Sequence, residues 1–133
     1  MMKKILSALL ITLVGLPVHA QNKPIACQSE AAAGLSWESG RWVTKSFEPP
    51  RFILIQVGKT LTTDSVGKAL STPSGQVTCR EVEKEMLCSD RTGGSLYFDP
   101  QTLKGGISQL YGSILSGAKK DTVTVHVFSC VPF

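Results

Sequence analysis

The chain has 133 residues, 14 basic and 10 acidic side chains, a net charge of +4 and 4 cysteines. That length fits one small domain around one core. The weak positive balance excludes wholesale binding along a phosphate backbone, which needs many clustered Lys and Arg, so no nucleic-acid partner is expected.

Lys3 and Lys4 precede an apolar run from Ile5 to Val18, and Val18-His19-Ala20 predicts signal-peptide cleavage before Gln21. Ser7, Thr12, Gly15 and Pro17 interrupt the run and leave it short of the roughly 20 apolar residues a bilayer span requires. Residues 1–20 therefore read as a signal peptide. Residues 21–133 read as a single domain with 12 basic against 10 acidic groups, without a membrane anchor, periplasmic or secreted, and monomeric.

All 4 cysteines lie in the exported part, which suits two disulfides in an oxidising compartment. Three pairings are possible. A turn centred on Glu83-Lys84 sets Cys79 opposite Cys88, and Cys27 with Cys130 would then tie the two ends of the domain together. Zinc is the competing use of such residues, but there is no C-x₂-C pair and His126 is the only histidine after residue 20. No metal or cofactor is expected.

In chain order, Ser29 to Gly34 reads as one helical turn with Ser29 as cap and Gly34 as terminator. Trp37-Glu38-Ser39-Gly40-Arg41-Trp42 reads as a tight hairpin with Ser39-Gly40 at its tip, Glu38 facing Arg41 and Trp37 facing Trp42. The chain stays extended from Trp42 to Phe47 and breaks at Pro49-Pro50. Phe52 to Val57 is apolar on both alternating faces, the pattern of a central strand covered on each side, and Gly58 closes it. Thr62 is a helix cap, with Asp64 near the positive dipole end and Leu61 placed to staple to Val66. That helix is short because loop residues Ser71 to Gly75 follow.

Strands are predicted over Gln76–Glu81, Glu85–Ser89 and Ser95–Phe98, forming a meander, and Asp99 before Pro100 caps a turn. Ile107, Leu110, Tyr111, Ile114 and Leu115 recur at helical spacing, which predicts the main amphipathic helix from Ile107 to Gly117, with Gly105-Gly106 as a flexible link into it. The last strand, Thr122–Phe128, places Val123, Val125 and Val127 on the expected core face and Thr124, His126 and Phe128 on the other. By strict alternation Cys130 shares the Phe128 face. The expected fold is α+β: an antiparallel sheet of about six strands with one main amphipathic helix and one short helix, stapled by disulfides.

Catalytic resources are few. Gly58-Lys59-Thr60 imitates the end of a phosphate-binding loop, but Ile53 stands where its first glycine belongs. No nucleophile elbow accompanies any serine, and His126 reads as an ordinary sheet-face residue. Glu38, Asp64, Asp90, Asp99 and Asp121 would support a carboxylate-dependent hydrolase only if they met in space, and each has a plainer role. No catalytic residue is assigned.

The two tryptophans are the better lead. Paired across the hairpin beside Arg41, Trp37 and Trp42 form an apolar platform with a charged edge, suited to a partner protein or a cell-envelope glycan; the plainer alternative packs one or both into the core. Ser108, Gln109, Gly112, Ser113 and Ser116 would give the main helix an uncharged outer face, which suggests a structural subunit of an envelope assembly as another role. Arg41, Lys45 and Arg51 interleave with Trp42, Phe47 and Phe52, a pattern that also suits anionic envelope polymers.

Trp37-Glu38-Ser39-Gly40-Arg41-Trp42-Val43, Phe98-Asp99-Pro100, Gly105-Gly106-Ile107, Lys120-Asp121-Thr122-Val123 and the terminal Phe128-Ser129-Cys130-Val131-Pro132-Phe133 resemble segments of small uncharacterised secreted proteins of proteobacteria. The resemblance covers most of the mature chain and implies bacterial export, but it carries no activity and no functional residue. Small periplasmic lysozyme inhibitors share the size, the export and the disulfide-stapled β-rich build, without a shared motif here. The expected function is a small, exported, non-enzymatic binding module using Trp37, Arg41 and Trp42.

Overall fold

The computed structural model describes residues 21–110 and 122–133. Nine strands, one α-helix and, after it, a short 3-10 turn (Ser74–Gln76) follow one another in the described residues: β1 (Asn22–Glu38), β2 (Arg41–Ser46), β3 (Arg51–Val57), β4 (Thr60–Leu61), α1 (Thr63–Leu70), β5 (Thr78–Val82), β6 (Glu85–Ser89), β7 (Gly94–Asp99), β8 (Lys104–Gln109) and β9 (Thr122–Pro132). They form one antiparallel sheet in the order β4-β3-β1-β9-β8-β7-β6-β5, with β2 paired to β1 beyond the end of β3. The outer strands β4 and β5 approach each other, so the sheet curls into a nearly closed barrel.

This corrects the expected α+β fold. Strand makes up 64% of the described residues and helix 11%. Where the main amphipathic helix was expected to start, Ile107 lies in β8, opposite Leu96 on one side and His126 on the other. Ser108 and Gln109 follow in β8, and the rest of that expected helix falls at Leu110 and among residues 111–121, which, Asp121 included, lie outside the described ones, as do residues 1–20. In β8 the period is 2: Ile107 is buried, while Gly106 and Ser108 alternate with it on the outer side.

The expected turn of helix at Ser29–Gly34 is also replaced by strand. One helical turn cannot recover its own nucleation cost, whereas β1 has partners on both sides, β3 and then β2 on one and β9 on the other. The register of β1 against β9 shifts between Ser29 and Ala31, leaving Glu30 as an exposed bulge residue.

Local expectations elsewhere describe the observed elements. Thr62 caps α1, its hydroxyl accepting from the Ser65 amide at 3.3 Å. Leu61 and Val66 are both buried. Phe52–Val57 is indeed strand, but it stands beside the short outer strand β4 rather than at the centre, and Ile53 is 51% exposed. Asp99 accepts from the Gln101 amide and the Thr102 hydroxyl, both at 2.8 Å, and so shapes the turn into β8.

The core fills the barrel with Ile25, Leu54, Leu96, Phe98, Ile107 and Phe128, and Val66 and Leu70 of α1 join it. β9 inverts the expected faces: His126, Phe128 and Cys130 point inward, whereas Val125 and Val127 are 52% and 50% exposed. Because side chains alternate, a single buried position fixes the parity of the whole strand. Cys130 supplies it, bonded to Cys27, which lies directly opposite on β1 at a Cα separation of 4.0 Å. The second disulfide joins Cys79 to Cys88 across the β5–β6 hairpin.

Candidate functional site

The β1–β2 hairpin turns on Ser39 and Gly40, both with positive φ (50° and 79°). Two successive left-handed residues make the turn whose twist matches the strands it joins, and glycine meets that requirement without a Cβ penalty. A two-residue loop makes Glu38 and Arg41 the closing pair, and places Trp37 directly opposite Trp42. The indole rings meet edge to face, with centroids 5.3 Å apart and planes at 70°. Neither ring enters the core: Trp37 and Trp42 are 38% and 37% exposed.

Alternation separates the three residues of the expected patch. Trp37 and Trp42 lie on one face of the hairpin, and Arg41 lies on the other with Glu38 and Lys45. Lys45 Nζ stands 2.7 Å from Glu38 Oε1 on that opposite face.

The tryptophan face continues across the sheet. Leu35 pairs with Val123, Ala33 with Val125 and Ala31 with Val127. Val125 and Val127 in turn oppose Ser108 and Gly106, and Tyr97 opposes Gly106. Leu35, Tyr97, Val125 and Val127 are all exposed. On β1, β2, β7, β8 and β9 no Asp, Glu, Lys or Arg occupies an outward ladder position between the tryptophans and the Val127 row, which runs on through Tyr97, whose hydroxyl donates to Glu85, and Leu87 to Arg80 on β5. A boundary follows, where Arg51, Gln28, Ser129, Lys104 and Asp99 line up across five strands. The uncharged field is therefore bounded rather than scattered, which distinguishes it from the isolated apolar residues of any protein surface. Sequence reasoning found the tryptophans but assigned the β9 valines to the core, so it missed that the two belong to one surface.

The described carboxylates that would have to meet for hydrolysis each have partners of their own. Glu38 pairs with Lys45, Asp64 with Lys68 at 3.0 Å, and Asp99 is engaged in its turn. Asp90 accepts from Thr72 Oγ1 (2.7 Å), Thr92 N (2.8 Å), Thr92 Oγ1 (3.0 Å) and Gly94 N (2.7 Å). Burial pushes its carboxyl pKa up, but the bonds from Thr72, Gly94 and Thr92 together outweigh that and hold it below the ordinary carboxylate range. A cleft of about 360 Å³ beside it is lined in part by these bonded residues and by Gln109, whose amide donates to the Leu70 carbonyl at 2.9 Å.

His126, expected on an open sheet face, is buried, and its Nδ1 shares a 2.9 Å hydrogen bond with the Ser29 hydroxyl. Burial lowers the imidazole pKa. Serine and histidine at this distance are the first two members of a nucleophilic constellation. Here both side chains point into the barrel, with Ser29 2% exposed, and a substrate carbonyl has no approach to the hydroxyl. The bond satisfies two buried polar groups. Among the described residues, no group of three or more His, Cys, Asp or Glu is arranged to hold a metal ion.

Comparison of the chain with protein-family models, with curated proteins and with solved structures gave no match.

Proposed function

We propose that the protein is an exported, non-enzymatic binding module that docks a partner protein on the outer face of β1, β2, β9 and β8, with Trp37 and Trp42 as anchors. The observation that carries this reading is the continuity of the paired, half-exposed indoles with an uncharged field of Leu35, Val125, Val127 and Tyr97. Exposed aromatic anchors on a bounded apolar field are the usual composition of a protein-docking surface. Arg41 lies on the other face of the hairpin and takes no part in the platform.

A glycan is the weaker fit. Sugar rings stack on a flat aromatic face, and indoles inclined at 70° share no common plane. Export is supported by two disulfides, which persist in oxidising compartments, and among the described residues no helix is long and apolar enough to cross a membrane. The setting that fits is the periplasm or the extracellular medium.

The test is retention from an envelope extract on the immobilised oxidised domain, the domain carrying Trp37→Ala with Trp42→Ala, and an Arg41→Glu variant. The reading requires a protease-sensitive species that the double variant loses and the Arg41→Glu variant keeps. Undiminished retention by the double variant, or a retained species that survives protease and yields sugars, contradicts it.

A further inference from the structure

A second exposed apolar surface lies on the outer face of the sheet, beyond the row of Arg51, Gln28, Ser129 and Lys104. The next outward row sets Ile53 opposite Ala26, and Ala26 opposite Val131. A methyl group between two branched neighbours leaves a dent across three strands, and Phe133 extends its wall past the end of β9. The result is an open groove of about 700 Å³, in which Ile53, Val131 and Phe133 are 51%, 63% and 77% exposed.

Arg51 and Lys68 also line this groove. Lys68 is paired with Asp64, whereas Arg51 donates from Nε to Gln28 Oε1 and has no acidic partner among the described residues. That bond holds the guanidinium beside β1 and leaves its terminal nitrogens to donate elsewhere. Arg51 lies in the row of Ser129, and from Ser129 to Phe133 the chain advances about 13 Å at the rise of a strand. A cation at one end of an apolar run of that length matches an acyl chain of about eight carbons ending in a carboxylate. A peptide fits less well. The floor is a sheet face whose backbone groups are spent on pairing β1 with β3 and β9, so a main chain laid over it would find no partners for its own N–H and C=O groups, whereas methylenes need none.

We infer that this groove binds a medium-chain fatty carboxylate, with the head group on Arg51 and the chain over Ala26 between Ile53, Val131 and Phe133. This goes beyond the tryptophan face, from which the charged row separates it.

The probe is octanoate, titrated to about 10 mM against the isotope-labelled oxidised domain, because a half-buried chain of this length belongs near the millimolar end of affinities. Amide shifts should saturate at Ala26, Ile53 and Val131 and stay unchanged at Trp37 and Trp42. Butyrate, with its shorter chain, should bind at least about tenfold more weakly. Arg51→Gln should weaken octanoate about tenfold while leaving octan-1-ol unchanged, which separates the head-group contact from the chain contact. Ile53→Thr with Val131→Thr should weaken octanoate and octan-1-ol alike, by at least about fivefold; both positions are exposed, and threonine keeps the strand preference. Trp37→Ala with Trp42→Ala should leave octanoate binding intact, so this site and the protein-docking face stand or fall separately. Three results would overturn the inference: no saturable response to octanoate, whether or not the domain sediments with phosphatidylglycerol vesicles; shifts centred on the tryptophans; or an equal loss of octanoate and octan-1-ol binding in Arg51→Gln.

Discussion

Gly105 lies directly across the β8–β9 ladder from Phe128, and the phenyl ring occupies the space that a side chain at position 105 would need. A Cβ built there would clash first with the Tyr97 carbonyl oxygen and would sit 2.5 Å from Phe128 Cζ. The ring cannot retreat easily, because it meets Phe52 edge to face at 5.0 Å and stacks near Phe98 at 6.4 Å. This close approach is why Gly105 belongs to a strand and not to a flexible link. Gly105→Ala should lower stability by roughly 1–3 kcal/mol through overpacking, seen as a fall of several degrees in Tm. An unchanged Tm would mean that the ring does not fill this space.

The two disulfides differ in the loops they close. Their sequence separations are 103 and 9, and chain entropy values such closures at about 4.7 and roughly 2.7 kcal/mol. Replacing Cys27 and Cys130 with Ala should therefore lower the urea midpoint more than replacing Cys79 and Cys88. The reverse order would show that the β5–β6 hairpin, not the tie between β1 and β9, limits the fold.

Ser39 takes a positive φ that serine tolerates less well than asparagine. Ser39→Asn should raise Tm slightly and increase protection of the β2 amides against hydrogen exchange, since Asn-Gly is the preferred sequence for this turn. A loss of protection would mean that the serine holds the turn by some other contact.

Acid should weaken the fold in a window set by His126. Its folded pKa is lowered by burial, so the unfolded chain takes up the proton first. This contribution is fully present above the unfolded pKa of about 6.5 and declines as pH falls toward the folded value, with a slope of at most about 1.4 kcal/mol per unit. His126→Gln should flatten the stability profile immediately below about pH 6.5. Asp90, whose folded pKa is also lowered, contributes stability that is lost as pH falls through the more acidic carboxylate range. An unchanged slope just below about pH 6.5 in the glutamine variant would place the titration elsewhere.

Much of the local structure was legible because its signals are short-range. The Glu83-Lys84 turn sets Cys79 opposite Cys88 by counting alone, Ser39-Gly40 sets Trp37 opposite Trp42, and Thr62 announces α1. The larger error came from reading hydrophobicity as burial. Val123, Val125 and Val127 look like a core face, yet the inward side of β9 is filled by His126, Phe128 and Cys130. The parity shared by Phe128 and Cys130 was the usable signal, since a disulfide to Cys27 fixes which face is inside. The helical spacing read from Ile107 onward starts in β8, where the observed period is 2 and, among the described residues, only Ile107 of the series is buried. Likewise, Arg41 is adjacent to Trp42 in sequence but lies across the sheet from it in space.

Site-specific photo-crosslinking tests the docking surface most directly. A benzophenone side chain at Leu35, on the tryptophan face, is compared in envelope extract with the same group at Arg41, on the opposite face of the hairpin. A discrete protein adduct from position 35 that is absent from position 41, and that disappears when Trp37 and Trp42 are replaced by Ala, is the predicted result. Adducts of equal yield from both positions, or an adduct from position 41 alone, would contradict the account.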